Sequence, residues 1–186
     1  MKKHADLQKL IHDLAEIKRE YSRLAFDEEH RMKLGEPATP EQIAKLERRL
    51  GKPLPPSYRA FLELHNGWES FDGSLNLLSV QDQESDWVKE WLKMLLTLFR
   101  AVKEENPFEK GAIPVLLGEG EHDFLILDPR TVRKDGEMDF VKFHFAEVDD
   151  RFKDFTSFLR NDLEVERQLL ENEKKGTPDN EEEDED

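Results

Sequence analysis

Residues 39–68 read TPEQIAKLERRLGKPLPPSYRAFLELHNGW, and this stretch predicts two short helices joined by a tight connection. Thr39 is suited to cap the first helix, because Pro40 then occupies the first helical position and Gln42 stands three residues after the cap. Gly51 is expected to end this helix, since glycine adopts a positive φ without strain. Local residues thus define both ends of the first helix.

The second helix is expected to begin at Pro55-Pro56 and to end at Asn66-Gly67. Only Lys52-Pro53-Leu54 separates it from the first helix, so the two helices should be neighbours in space. Both helices carry apolar residues at the spacing of one helix face, as expected for packing against a core. These residues are Ile43, Leu46, Leu50, Tyr58, Phe61 and Leu62.

Three further segments have helical periodicity, namely residues 7–24, residues 84–105 and a final helix that runs to about Asn172. Asp149 or Asp150 is the expected N-cap of that final helix, whose apolar face would begin at Phe152. Four segments have the composition of strands or hairpins. They are residues 68–80, with Asp72-Gly73 as the turn, and residues 112–117, 123–128 and 138–145.

The strands are joined by short, turn-rich links, which favour antiparallel pairing and an α+β fold. We predict a single domain with a twisted, mainly antiparallel sheet flanked by helices. An N-terminal amphipathic helix would occupy residues 1–34, the main domain residues 36–172, and a disordered acidic C-terminal tail residues 173–186. Gly, Pro and acidic residues dominate that tail, so it cannot bury enough apolar surface to become ordered.

The chain has 186 residues, a formal net charge of −15 and no cysteine. Without cysteine there is no disulfide, no thiolate metal site and no cysteine nucleophile. The N-terminus MKKHADLQKL lacks the apolar run of a secretory signal, and no apolar stretch is long enough to span a membrane. These features predict a cytoplasmic protein. Its acidity should repel nucleic acid and anionic lipid and attract a basic protein partner.

The sequence has no motif that indicates catalysis. Its six histidines lack metal-ligand spacing, and GxSxG, SxxK and Walker motifs are absent. The loop GEGEHD at residues 118–123 is too acidic to cradle phosphate and has no lysine. We therefore predict no enzymatic activity, no metal and no cofactor. A hydrolase that uses His122 and Asp123 is the remaining catalytic alternative.

The stretch 39–68 resembles the opening motif of the SUKH superfamily, and more narrowly its Smi/Knr-type group, which is named after a fungal cell-wall-synthesis regulator. The segments IPVLLG, DFLILD and FTSFL also fit the group, so the resemblance covers roughly residues 36–165. The loop GEGEHD is more acidic than the Gly-rich loop usual in the family. The matching motif positions are Ile43, Glu47, Leu50-Gly51, Leu54-Pro55, Tyr58, Phe61-Leu62 and Asn66-Gly67.

The resemblance implies a binding role without an active site, because bacterial members are commonly immunity proteins that bind and block a toxin domain. A regulatory scaffold with an intracellular partner is the alternative within the family. The sequence does not indicate an oligomeric state. The expected partner-binding residues follow the second helix of the motif or lie in the acidic loop. They are Trp68, Glu69, Phe71, Asp72, Glu119, Glu121 and Asp123.

Overall fold

The structure, a computed structural model, describes residues 2–26, 31–118 and 122–176. Within these ranges the chain forms five α-helices and a seven-stranded sheet. This architecture agrees with the predicted α+β fold. The helices are α1 (Lys2–Phe26), α2 (Pro40–Leu50), α3 (Pro56–Leu64), α4 (Asp86–Val102) and α5 (Phe155–Lys175).

The sheet is antiparallel throughout, and its strands lie in the order in which they occur along the chain. The prediction of a mainly antiparallel sheet is therefore confirmed. The strands are β1 (Lys33–Leu34), β2 (Trp68–Asp72), β3 (Leu75–Leu77), β4 (Ile113–Gly118), β5 (Asp123–Asp128), β6 (Asp139–His144) and β7 (Glu147–Phe152).

Helices cover both faces of the sheet, so the central strands are apolar on both sides. Every residue of β4 is buried, which explains why its sequence IPVLLG is an apolar run without alternation. Leu116 packs into the core shared with α1, α2, α3 and α5, whereas Leu117 packs into the core under α4. The sheet is thus the middle layer of three.

The start of α2 has the predicted capping box. The backbone N–H of Gln42 donates to Thr39 Oγ1 at 3.3 Å, and the backbone N–H of Thr39 donates to Gln42 Oε1 at 2.7 Å. Gly51 ends the helix with a φ of 66°, the left-handed conformation expected for it. Both predicted boundaries of α2 are therefore confirmed.

Replacing Thr39 by alanine is expected to lower the free energy of unfolding by about 1 kcal/mol, because the Gln42 N–H loses its acceptor. Urea denaturation followed by circular dichroism measures the change. Thr39→Ser, which keeps the hydroxyl, serves as the control and should stay close to wild type. Equal stabilities for the alanine and serine variants would show that the cap contributes nothing.

The region before α5 differs from the prediction. Residues 147–152 form β7, so neither Asp149 nor Asp150 is a helix cap, and Asp154 caps α5 by accepting from the Ser157 N–H at 2.7 Å. Residues 147–151 of β7 are exposed on this edge strand, which therefore lacks the alternation that identifies half-buried strands. The two-residue strand β1 was likewise not predicted.

The C-terminal helix is longer than expected, since α5 ends at Lys175 and Gly176 follows it with a φ of 59°. The predicted disordered tail began at residue 173. Its residues 177–186 lie outside the described residues. The predicted domain boundaries stay predictions.

Helices α1 and α5 pack side by side and run in the same direction. The N-terminal part of α1 contacts α3, where His4 Nε2 lies 3.0 Å from Glu63 Oε2, and Phe155 at the start of α5 also packs against α3. Further along, Lys174 Nζ reaches Glu20 Oε1 at 2.6 Å. Helices α1 and α5, which contain the two ends of the described chain, therefore lie together on one face of the sheet.

Candidate functional site

Three connections between neighbouring strands lie at the same end of the sheet, namely those that join β2 to β3, β4 to β5 and β6 to β7. Strand pairing aligns Asp72 with Leu75, Leu75 with Gly118, Asp123 with His144, and His144 with Glu147. We call this edge, which comprises the turn 72–75, the ends of the loop 118–123 and the turn 144–147, the loop end. The antiparallel pairing therefore brings three connections to one surface.

Two of the predicted partner-binding residues lie at the loop end. Asp72 is exposed at the β2–β3 turn, and Asp123 begins β5, where its Oδ1 lies 2.6 Å from His144 Nδ1. At about 4.8 Å per strand, three strand spacings place the two aspartates about 14 Å apart. Glu119 and Glu121 belong to the loop that precedes Asp123 but lie outside the described residues.

Glu69 is exposed away from the loop end, beside the short edge strand β1. Its Oε1 lies 3.8 Å from Lys33 Nζ, and both side chains are more than two-thirds exposed. The residue lines a cleft of about 560 Å³ between β1–β3 and the start of α4, where Trp87 is 37% exposed. Glu69 thus belongs to a second surface, which we call the edge cleft.

Trp68 and Phe71 are core residues, which corrects their prediction as partner-binding residues. Each is 1% exposed, and their rings meet edge to face with centroids 5.1 Å apart. Phe71 also packs against Phe158 of α5 at 5.8 Å. Side chains buried to this degree present no surface to a partner, so we remove both from the candidate site.

Phe145 is the residue of the loop end that the sequence did not identify. It was expected at the end of the strand predicted for residues 138–145, but it lies in the β6–β7 turn with a φ of 54° and is 40% exposed. Its N–H donates to the His122 carbonyl at 2.9 Å, and its ring stacks on the His122 ring with centroids 4.0 Å apart. The His144 ring meets it edge-on at 4.7 Å.

The conformation of Phe145 is unfavourable for a residue with a β-carbon. Such residues lose about 1–2 kcal/mol in the left-handed region relative to the right-handed one, and bulky residues are rare there. A large apolar ring is also costly to leave in water. Strain of this kind tends to be retained at functional sites, so Phe145 marks the loop end as the candidate binding surface.

Replacing Phe145 by glycine is expected to leave the free energy of unfolding unchanged or to raise it by about 1 kcal/mol, because glycine adopts a φ of 54° without strain. The matched control is Val148→Gly, since Val148 is 49% exposed in the neighbouring strand. That control should lose about 0.5–1 kcal/mol. Thermal and urea unfolding of both variants measure these changes in the free energy of unfolding. Equal losses for Phe145→Gly and Val148→Gly would contradict strain at Phe145.

A small cavity of about 360 Å³ opens beside Phe145 at the end of α4, and we call it the Phe145 pocket. Phe145, Ala146 and Val102 supply its apolar wall. Two carboxylates, Glu104 and Glu147, flank it, and neither has an ion-pair partner within the described part of the chain. The lining residues are Val102, Glu104, His144, Phe145, Ala146 and Glu147.

The motif residues Asn66 and Gly67 have structural roles near the edge cleft. Asn66 Oδ1 accepts from the Val80 N–H at 2.8 Å, and its Nδ2 donates to Gln81 Oε1 at 2.7 Å. A β-carbon on Gly67 would lie 2.9 Å from the Ser79 nitrogen, closer than such contacts allow. These residues attach the segment after β3 to the end of α3, and they position the edge cleft.

A buried ion cluster lies between α1 and α5, behind the loop end. Lys18 Nζ contacts Glu166 Oε1 at 2.6 Å and Asp162 Oδ2 at 3.1 Å, and it lies 4.7 Å from the centroid of the Phe71 ring. Burial raises the pKa of Asp162 to about 6, and the Lys18 ammonium counteracts only part of this effect. Burial lowers the pKa of Lys18, but the two carboxylates outweigh it, so that pKa lies above its usual range.

The structure offers little support for the hydrolase alternative at His122 and Asp123. Asp123 is engaged by His144, while the His122 ring stacks on Phe145. No group of three potential metal ligands occurs among the residues that the structure describes. In the same ranges, none of the helices is both long enough and apolar enough to cross a membrane.

The architecture is that of an α+β domain with an antiparallel sheet between two helical layers. The sequence model of the SMI1/KNR4 family (SUKH-1) matches residues 37–161, which is most of the described domain. The chain therefore belongs to the SMI1/KNR4 family (SUKH-1), and the resemblance stated from residues 39–68 is confirmed.

A curated relative matches a shorter part of the chain. Over 46 residues the chain is 44% identical to "Uncharacterized protein YnaB" of Bacillus subtilis (strain 168). This match covers 25% of the chain and 31% of the relative, so it spans less than a third of that protein.

Proposed function

We propose that this chain is a cytoplasmic, non-catalytic immunity protein that neutralises a cognate toxin domain by binding it through the loop end. The observation that supports this proposal most strongly is Phe145, an exposed aromatic residue with a φ of 54° that lies near Asp123. Aromatic side chains, phenylalanine among them, are enriched at protein interfaces relative to the rest of the surface. Membership of the SMI1/KNR4 family (SUKH-1) supports a protein-binding role.

The charge of the chain favours a basic partner. The formal net charge is −15, and the loop end contributes Asp72, Asp123 and Glu147. A toxin that acts on nucleic acid has a basic substrate groove, and an acidic inhibitor would associate with it rapidly and in a salt-sensitive way. The proposal requires no nucleic acid, membrane, metal or cofactor.

The deciding experiment is co-purification with toxin domains encoded beside the gene, followed by titration calorimetry at low and high salt. Wild type should bind one such domain, with weaker binding at high salt because screening reduces charge attraction. Phe145→Ala and Asp72→Lys should each weaken binding by about tenfold or more. Val132→Ala is the control, since Val132 is 53% exposed and lies outside the loop end. Failure of every neighbour-encoded toxin to bind at low salt would refute the proposal.

A regulatory scaffold is the second candidate, and the edge cleft favours it. A scaffold needs more than one contact surface, and this cleft of about 560 Å³ with Glu69 and Trp87 lies apart from the loop end. Under this alternative, Trp87→Ala would abolish capture of a housekeeping protein, whereas Phe145→Ala would abolish only capture of a toxin. Co-purification with both variants from cells of the source organism separates the two functions.

A further inference from the structure

We infer that the Phe145 pocket receives an arginine side chain from a protein partner. The inference rests on the proposed binding role and specifies the chemistry that the loop end recognises. The cavity of about 360 Å³ lies at the lower end of the range for small-molecule sites, so it suits one long side chain better than a cofactor.

The pocket has an aromatic wall with an accessible face. The His122 ring stacks on Phe145 at 4.0 Å with an interplanar angle of 20°, and His144 meets the ring edge-on at 85°. These contacts fix the orientation of the ring while 40% of the residue stays exposed. A planar guanidinium can stack on the remaining face, and arginine is the cation that most often does so.

The pocket also has two carboxylates, Glu104 and Glu147. Glu104 comes directly after α4 and Lys103, and Glu147 begins β7, so different elements bring the two carboxylates to the same pocket. Neither has an ion-pair partner among the described residues. A guanidinium is planar and has donors on several edges, so it can hydrogen-bond to carboxylates while its plane stacks on an aromatic ring.

The nearby arginines of the chain are paired with other carboxylates. Arg130 Nη2 lies 2.8 Å from Asp128 Oδ2, and its Nη1 lies 3.0 Å from Glu105 Oε2. Arg151 Nη1 lies 3.9 Å from both Asp128 and Asp139. Both arginines line a neighbouring cavity together with Glu104 and Glu147, but their ion pairs in the described part of the chain are made with other carboxylates. A guanidinium from a partner is therefore a suitable complement for Glu104 and Glu147.

The test uses the peptide acetyl-Gly-Arg-Gly-amide and isotope-labelled full-length protein, and it measures NMR chemical shifts. The peptide should shift the resonances of Phe145, His122 and Val102 and saturate in the millimolar range. A peptide with citrulline in place of arginine has the same shape without the charge, and it should bind about tenfold more weakly or not at all.

The double variant Glu104→Gln/Glu147→Gln should bind the arginine peptide at least about fivefold more weakly. Its matched control is Glu41→Gln/Glu173→Gln, which removes the same charge from exposed positions far from the pocket and should bind as wild type does. Preserved amide dispersion shows that each variant is folded. Absence of localised shifts, or equal binding by the citrulline peptide or by the Glu104/Glu147 variant, would overturn the inference.

The peptide experiment and the toxin experiment can fail separately. If the peptide binds but no neighbour-encoded toxin does, the arginine pocket is supported and the proposed immunity function is refuted. If a toxin binds wild type and the Glu104/Glu147 variant equally well, the immunity function stands and the arginine pocket fails.

Discussion

Replacing Lys18 by methionine is expected to lower the free energy of unfolding by about 3–5 kcal/mol. Lys18 is 4% exposed, and its ammonium is the cation nearest to the buried carboxylates of Asp162 and Glu166. Methionine keeps the contact with the Phe71 ring but removes the charge, which leaves two carboxylates facing each other without compensation. Urea denaturation at neutral pH measures the loss.

The control for this prediction restores charge balance without restoring the lysine. In Lys18→Met/Asp162→Asn/Glu166→Gln the cluster contains no charge, and most of the lost stability should return. If the triple variant is as unstable as Lys18→Met alone, packing around Lys18 rather than charge compensation causes the loss. Wild-type stability of the Lys18→Met variant would mean that water reaches the two carboxylates of the cluster.

Replacing Trp68 by alanine is expected to lower the free energy of unfolding by about 3–5 kcal/mol, because a 1% exposed indole leaves a large cavity when truncated. The adjacent Glu69→Ala is the control and should change stability by less than about 0.5 kcal/mol, since its side chain is 71% exposed. Chemical denaturation of both variants gives the comparison. Near-wild-type stability for Trp68→Ala would contradict a core role for Trp68 and make it a candidate binding residue again.

Sequence alone predicted the elements whose ends are determined by local chemistry. Thr39, Gln42 and Gly51 define α2 through bonds within a few residues, so their pattern was sufficient. Strand β7 had no such signal, because an exposed edge strand is selected for charge and not for apolar alternation. Missing β7 also meant missing the turn before it, and Phe145 was therefore assigned to the end of a strand.

The candidate site could be predicted only in part, because it depends on pairing between distant segments. Asp72 and Asp123 were identified from their turns, but their common edge follows from the register of four strands. The burial of Trp68 and Phe71 depends on an irregularity in β2, where Ser70 has a φ of 50°. In a regular strand, residues three apart face opposite sides, and here the irregularity brings both into one core.

The packing of α1 on α5 has a consequence for the time course of folding. Each strand ladder closes between consecutive segments, whereas Lys18 and Glu166 are 148 residues apart. Ordering a loop of that length is slow, so the sheet should form before α1 docks. Hydrogen exchange should then show α1 opening at a lower free energy than β4–β6, and equal protection would contradict this order. During synthesis, α1 emerges well before α5, so its apolar face stays uncovered and accessible to chaperones until α5 has been synthesised.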